Sequence, residues 1–311
     1  MAKILITETV HPIGPELLTA AGHTVVYADR DMDIIRREIV DADAVFVRII
    51  ELPGSLLSTA KHLKIISKHG VGYDNIDLDY CKKAGVAVTV TPDANGLSVA
   101  EHAFTLMLTL AKNIIPVSNE YRSVGFSAKN HAPGIELTGK TLGLIGMGRI
   151  GKRILHMCRD GLDMHVVVYD PYVSEVPDGV EKVEDLSELL RRADVVTLHC
   201  LLTDETRKLI DRERLALMKP TALLINCARG PIVDETALIE ALENGRLAGA
   251  GLDVTDPEPV EKDSPLFKMP NVIVTPHYAP TTLEAATRVS KIGAENINAV
   301  LAGKEPVGRI V

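Results

Sequence analysis

Residues Gly139–Asp170 read GKTLGLIGMGRIGKRILHMCRDGLDMHVVVYD, and this stretch decides the fold. Thr141–Ile145 is a short apolar run of the kind that forms a buried strand. It breaks at Gly146, Gly148 and Gly151, spaced G-x-G-x-x-G, and a helical pattern through Ile150, Ile154, Leu155 and Cys158 follows. His165–Tyr169 reads as the next strand and ends in Asp170, nineteen residues beyond Gly151. The first glycine permits a tight turn, the second lets backbone N–H groups approach a pyrophosphate, and the third lets the helix pack on its strand. The helix N-terminus then offers partial positive charge to the phosphates. Asp170 can accept from both hydroxyls of a ribose and would repel a 2′-phosphate, which favours NAD over NADP. Three glycines alone mark turns of many kinds. The strand before them, the helix after and the acid closing the next strand together point to a dinucleotide site.

At 311 residues the chain can form two domains with sizeable cores. Hydrophobic residues at 46% and charged residues at 24% are ordinary globular values. A net charge of -8 argues against a nucleic-acid or anionic-membrane surface. No uncharged apolar stretch is long enough for a membrane span. The opening MAKILITETV enters a strand at once and lacks a signal-peptide layout. Cys81, Cys158, Cys200 and Cys227 lie far apart, without a C-x-x-C pair. Reduced thiols in a cytoplasmic protein are expected, with no metal centre.

Outward from the glycine unit, strand and helix patterns alternate in both directions. Lys3–Thr7, His23–Ala28, Ala44–Ile49, Leu63–Lys68 and Val86–Thr91 read as strands, with helical patterns at Pro15–Ala21 and Asp31–Val40. Ser98-Val99-Ala100-Glu101 fits a capping box opening a long helix with a wide apolar face, expected to be a buried connector between domains. Beyond the glycine unit, strands are expected at Val195–Cys200, Ala222–Cys227, Gly249–Val254 and Val272–Thr275. Helices are expected at Leu186–Arg192, Arg212–Met218, Glu235–Glu243 and Thr282–Leu301. Such alternation builds parallel α/β sheets.

Three of the later strand ends carry polar clusters: Asn226–Gly230, Asp253–Pro259 and Thr275–His277. Ligands of open α/β sheets bind beyond the carboxyl ends of strands. Arg229 can grip a carboxylate with two parallel hydrogen bonds. His277 can pass a proton near neutral pH. Glu258 beside it would fix the ring and favour the imidazolium.

With these clusters the sequence resembles the D-isomer-specific 2-hydroxyacid dehydrogenase family along nearly its whole length. The resemblance rests on Gly70-Val71-Gly72-Tyr73-Asp74-Asn75-Ile76-Asp77, Thr91-Pro92 with Asn95, Ser98–Glu101, the glycine fingerprint and the three clusters, all in family order. Residues Asn226–Gly230 with Asp234-Glu235 are most similar to the phosphoglycerate dehydrogenase and hydroxypyruvate reductase branch. The resemblance implies two doubly wound parallel-sheet domains. One is a Rossmann NAD-binding domain over 99–281, the other a smaller flavodoxin-like substrate domain over 1–98 plus 282–311.

It also implies a hydride moved between nicotinamide C4 and C2 of a 2-hydroxy or 2-keto acid, in the cleft between the domains. His277 would be the acid/base, Glu258 its holder, and Arg229 the ligand of the substrate carboxylate and carbonyl. Backbone N–H groups of Val71 and Gly72 would bind the carboxylate too. Gly146, Gly148, Gly151, Arg149 and Ile150 would meet the pyrophosphate, Asp170 the ribose, Cys200 and Ala228 the nucleoside, and Asp253 the nicotinamide side. Relatives are usually homodimers, so a homodimer is expected. The family also contains corepressors that sense NAD(H) through the same fold, but with extra terminal segments; formate-oxidising relatives carry Gln where Glu258 stands.

Several of these residues admit a plainer reading by themselves. His277 also fits a strand-end histidine satisfied by a carbonyl, Glu258 a solvated loop acid, and Arg229 a strand-end cap. Asn95 either favours the turn after Pro92 or contacts substrate. His69, His102, His131 and His199 have no evident partner and read as structural. Arg48 stands where the phosphoglycerate branch has a phosphate-binding arginine, and Lys68 near another basic position. Both either face an anionic distal group or are surface charges at strand ends. Tyr278-Ala279-Pro280 replaces the family's small residue and glycine, so Tyr278 would narrow or hydrogen-bond the pocket. Ser118–His131 lacks the tryptophan of many relatives, and no regulatory domain is expected after Val311.

Overall fold

The computed structural model describes residues 1–311, which form two compact units, Met1–Asn95 with Pro280–Val311 and Gly96–Ala279. The boundaries lie at 95/96 and 279/280, where the expectation from sequence put 98/99 and 281/282. The reason for the first shift is local. The long helix begins at Gly96, so Ser98 sits inside its first turn and is no N-cap; its hydroxyl donates to Ala279 O at 2.6 Å.

In the first unit the order is β1 (Lys3–Ile6), α1 (Ile13–Ala20), β2 (Thr24–Tyr27), α2 (Met32–Glu38), β3 (Ala44–Val47), α3 (Gly54–Leu57), β4 (Ile65–Lys68), α4 (Leu78–Ala84) and β5 (Ala87–Thr89). The strands pair in parallel in the order β2-β1-β3-β4-β5, the flavodoxin-like winding. Continuous apolar runs such as Ala44–Val47, buried throughout, are what a parallel sheet covered on both faces requires.

The second unit holds α5 (Gly96–Ala111), α6 (Ile114–Val124), β6 (Thr141–Ile145), α7 (Arg149–Leu162), β7 (His165–Tyr169), β8 (Val180–Lys182), α8 (Leu186–Arg192) and β9 (Val195–Leu198). It continues with α9 (Arg212–Leu215), β10 (Leu223–Asn226), α10 (Glu235–Glu243), β11 (Gly249–Leu252) and β12 (Val272–Val274). Its parallel sheet runs β12-β11-β10-β9-β6-β7-β8, a doubly wound order that reverses between β6 and β9. The last helix, α11 (Leu283–Leu301), returns to the first unit. Gly293 lets it do so: a Cβ there would meet the Phe46 ring at 2.4 Å.

Two expectations are corrected. Helix α5 is part of the second unit, packed on α7, β10 and β11 through Leu106, Met107 and Leu110, rather than a connector. Strands expected to run into the polar clusters stop one to two residues earlier; β10 ends at Asn226 and β11 at Leu252, so Cys227 and Asp253 already belong to the loops. Two elements, α6 and β8, had no sequence signal: α6 buries no residue, and β8 is a three-residue edge strand. No helix is long and apolar enough to cross a membrane.

Candidate active site

The glycine turn is built by close approach. Gly146 has φ +90°, and a Cβ there would meet Cys200 N at 2.7 Å. At Gly151 a Cβ would meet Gly146 O at 2.1 Å, so the helix can start there only without a side chain. Gly148 differs: nothing lies within 4 Å of the place its Cβ would take. Gly148 is also the N-cap of α7 and supplies no side-chain cap, leaving the first N–H groups of a 14-residue helix available to an anion. Arg149 is exposed and Ile150 half-buried at this end. Space and orphan donors at one point are what a pyrophosphate needs.

Asp170 closes β7 and does two local jobs. Its Oδ2 accepts from Met147 N at 2.8 Å and its Oδ1 from Tyr172 N at 2.9 Å. The carboxylate therefore fixes the glycine turn, and each oxygen keeps a second lone pair for another donor. Cys200 follows the neighbouring β9; burial pushes its thiol up to about 11, so it stays neutral and offers backbone groups.

The three polar clusters leave the same end of adjacent strands. Registers Asn226↔Leu252 and Leu252↔Val274 align the ends of β10, β11 and β12. Buried Asn226 shapes the first loop, accepting from Ala228 N at 3.0 Å and donating to Arg229 O at 2.9 Å. The Arg229 guanidinium donates to Ala228 O at 2.8 Å. Gly230 presses on the second loop, where a Cβ would meet Thr255 O at 1.9 Å. Glu235 ties the same loop by accepting from Asp256 N at 2.9 Å, so this residue of the branch pattern is structural. Burial raises the pKa of Glu235.

Glu258 and His277 meet. Glu258 Oε1 lies 2.6 Å from His277 Nδ1, with side chains 37% and 29% exposed, so the pair is held yet reachable. His277 has φ +53°, a left-handed conformation that few non-glycine residues adopt. Its N–H donates to Asp253 O at 2.8 Å. Asp253, 1% exposed, accepts from Thr275 Oγ1 at 2.6 Å, Tyr278 N at 2.7 Å and Ala279 N at 2.9 Å. The acid expected beside the nicotinamide is thus the clamp of the His277 turn. His102, expected to have no partner, lies 3.0 Å from Thr275 Oγ1. Tyr278 is 52% exposed beside His277.

In the first unit, Lys68 is no surface cation. It is buried, and its ammonium binds Arg48 O and Asn75 Oδ1. Arg48 is half-buried and donates to Thr9 O at 3.2 Å. The Gly70-Val71-Gly72 loop opens with Gly70 at φ +130°, pinned through its N–H to Thr91 Oγ1 at 3.1 Å. Asn95 stands next to that glycine, and its Oδ1 is buried without a protein partner. Glu8 was missed from sequence. It is 2% exposed and accepts from Arg48 N at 2.7 Å and Ile49 N at 2.9 Å, so it sets the segment that carries Arg48. An acid directly after a buried strand was the available signal.

A doubly wound sheet with an open glycine turn at its reversal point defines a dinucleotide-binding α/β protein, and a buttressed His–Glu pair stands at neighbouring strand ends. Residues 104–279 match the family model described as D-isomer specific 2-hydroxyacid dehydrogenase, NAD binding domain. The chain belongs to that family, and its second unit is an NAD-binding domain. It is 42% identical over 308 residues to the D-3-phosphoglycerate dehydrogenase of Methanocaldococcus jannaschii, covering 98% of this chain and 58% of that protein. The chain thus spans little more than half the length of that curated relative. It is 37% identical to the glyoxylate reductase of Thermofilum pendens, covering 98% of this chain and 93% of that one. Among solved structures, the D-lactate dehydrogenase from Aquifex aeolicus complexed with NAD and lactic acid superposes with TM-score 0.88 at 33% identity, over 96% of both chains.

Proposed function

We propose that the protein is an NAD-dependent oxidoreductase that interconverts a 2-keto acid and the D-2-hydroxy acid, with a substrate bearing an anionic distal group such as phosphate or sulfonate. The observation that carries the reading is the 2.6 Å contact between Glu258 and His277 at the ends of β11 and β12, one strand over from the loop of Arg229. When bound, the nicotinamide supplies or accepts the hydride at C4. In reduction, His277 gives its Nε2 proton to the carbonyl oxygen as C2 becomes tetrahedral; in oxidation it takes the hydroxyl proton back. Glu258, holding Nδ1–H, fixes the tautomer and the orientation of the ring. Arg229 binds the carboxylate and polarises the carbonyl.

In this reading Val71 and Gly72 N–H groups and Asn95 meet the substrate, Arg48 meets its distal group, and Tyr278 limits its shape. Lys68 acts indirectly, holding the Arg48 segment by its carbonyl. For the cofactor, Gly146, Gly148, Arg149, Ile150 and Gly151 cradle the pyrophosphate, Asp170 selects the ribose of NAD, and Cys200 and Ala228 present backbone to the nucleoside. Asp253 serves the nicotinamide end through the turn it clamps. A homodimer is supported by α6, which buries none of its residues yet exposes Ile114, Ile115, Tyr121 and Val124. The buried free thiols Cys81, Cys158 and Cys227 suit a reducing cytoplasm.

The test is NADH oxidation with glyoxylate, hydroxypyruvate, pyruvate, 3-phosphohydroxypyruvate and sulfopyruvate. Turnover of at least one is expected, and none would overturn the reading. Arg48→Ala should raise KM for a phosphorylated or sulfonated acid by about tenfold or more while leaving glyoxylate nearly unchanged, the loss expected of one charge-assisted contact. Equal effects on both would remove Arg48 from the distal site.

A further inference from the structure

Beneath His277 lies a polar layer that reaches helix α5. Thr275 Oγ1 is 2.6 Å from Asp253 Oδ1, a carboxylate oxygen that can only accept, so the threonine hydroxyl gives its single proton there. Towards His102, 3.0 Å away, the same oxygen can therefore only accept, and Nε2 of His102 must carry a hydrogen. That nitrogen also lies 3.4 Å from Asp253 Oδ1. The His102 ring meets Tyr278 edge-on, with centroids 6.2 Å apart and planes at 62°. The imidazole is 16% exposed and stands on a 16-residue helix anchored by Ala103, Leu106 and Met107 in the core.

We propose that His102 is a positioning residue for His277, acting through Thr275 and Asp253. The proposal rests on the reading of His277 as the acid/base. Asp253 binds the backbone of 277 through its carbonyl and of 278 and 279 through its carboxylate, so its orientation sets the direction of the His277 side chain. Thr275 holds one oxygen of that carboxylate, and His102 holds Thr275. Removing the donor at 102 leaves the threonine hydroxyl without its outer partner, so that hydroxyl and the Asp253 carboxylate gain freedom to turn. A reacting group displaced by about 1 Å costs on the order of a hundredfold in rate.

The experiment uses the full chain with His102→Leu, which removes the donor, and His102→Gln, whose amide N–H replaces it. With whichever acid the wild type reduces, His102→Leu should lower kcat between about tenfold and a hundredfold. KM and the Kd for NADH should move less than about threefold, and His102→Gln should recover most of the loss, the pattern of an interaction made in the transition state. Thr275→Val should lose a similar factor, and the double variant His102→Leu/Thr275→Val should be little worse than either alone. Imidazole NMR of His277 should shift in His102→Leu while that of the exposed His156 stays in place. Wild-type kcat in His102→Leu with unmoved His277 resonances would overturn the proposal. Equal losses in Leu and Gln variants accompanied by a fallen Tm would also overturn it, in favour of a packing role. If the wild type reduces none of the acids, the dehydrogenase reading fails, while the His277 resonances still decide the positioning. Should His102→Leu not fold, His102→Gln and Thr275→Val decide on the same readouts.

Discussion

A left-handed backbone at His277 costs about 1–2 kcal/mol for a residue with a Cβ, and something must hold it there. The holders are Asp253, whose carbonyl takes the 277 N–H and whose carboxylate takes those of 278 and 279, and Glu258 on the ring itself. The left-handed turn aims one imidazole, and this supports the proposed acid/base role over a strand-end histidine satisfied by a carbonyl. His277→Ala should lower turnover by about 10²–10⁴, the usual contribution of a positioned acid/base. NADH affinity, followed by fluorescence titration, should stay within a few-fold because the glycine turn and Asp170 are untouched. Retained turnover would exclude His277 from proton transfer. The sequence showed the pair but not the clamp. The family resemblance put Asp253 on the nicotinamide side, and its bonds to the backbone of 277, 278 and 279 add the clamp, which no local pattern in the sequence announces.

Helix α7 begins where two glycines make opposite demands. At Gly148 the backbone has φ -73°, which any residue tolerates, and open space lies in front of it. At Gly151 the carbonyl of Gly146 fills the position of a side chain. Gly148→Ala should therefore keep its Tm within about 2 °C, as an unstrained surface change does, while weakening NADH at least about tenfold by intruding on the phosphates. Gly151→Ala should lose both: about 1–3 kcal/mol of stability through overpacking, and NADH affinity as the turn is pushed aside. Equal stability loss in the two would show that Gly148 is a packing glycine. Elements of this kind were legible because their signals are local. Helices α8 and α10 end where the apolar period ends, each opened by an aspartate, Asp185 or Asp234, that accepts from the first turn. Helix α6 was illegible for the opposite reason: it buries none of its residues, so no stripe separates a core face from a solvent face. Strand β8 fails likewise, as three residues at a sheet edge carry too little pattern.

Across the whole molecule, each unit carries one histidine that is kept neutral. His69, in the first, is lowered to about 3 by burial and then by the positive charges of Arg48 and Lys68; His199, in the second, is lowered to about 3 by burial. His69 Nε2 and His199 Nδ1 are sealed from solvent without a partner, although part of each ring remains accessible. Both read from sequence as structural, and their burial gives that reading a thermodynamic consequence. A folded pKa below the ordinary 6.5 means the unfolded chain binds the proton first. Stability from the neutral rings is then complete above pH 6.5 and drains away as the pH falls from 6.5 towards 3. Each ring contributes a slope of up to about 1.4 kcal/mol per pH unit in that window. Water at the accessible edges brings the total loss to about 1–3 kcal/mol per histidine. Urea unfolding between pH 7 and 4.5, above the range where most carboxylates titrate, should show stability falling with acid. Replacing His199 by Gln, which cannot protonate, should flatten that slope by about one proton, and His69→Gln should do the same for the first unit. Slopes unchanged from wild type would mean that these rings take up their protons in the folded state as readily as in the unfolded one.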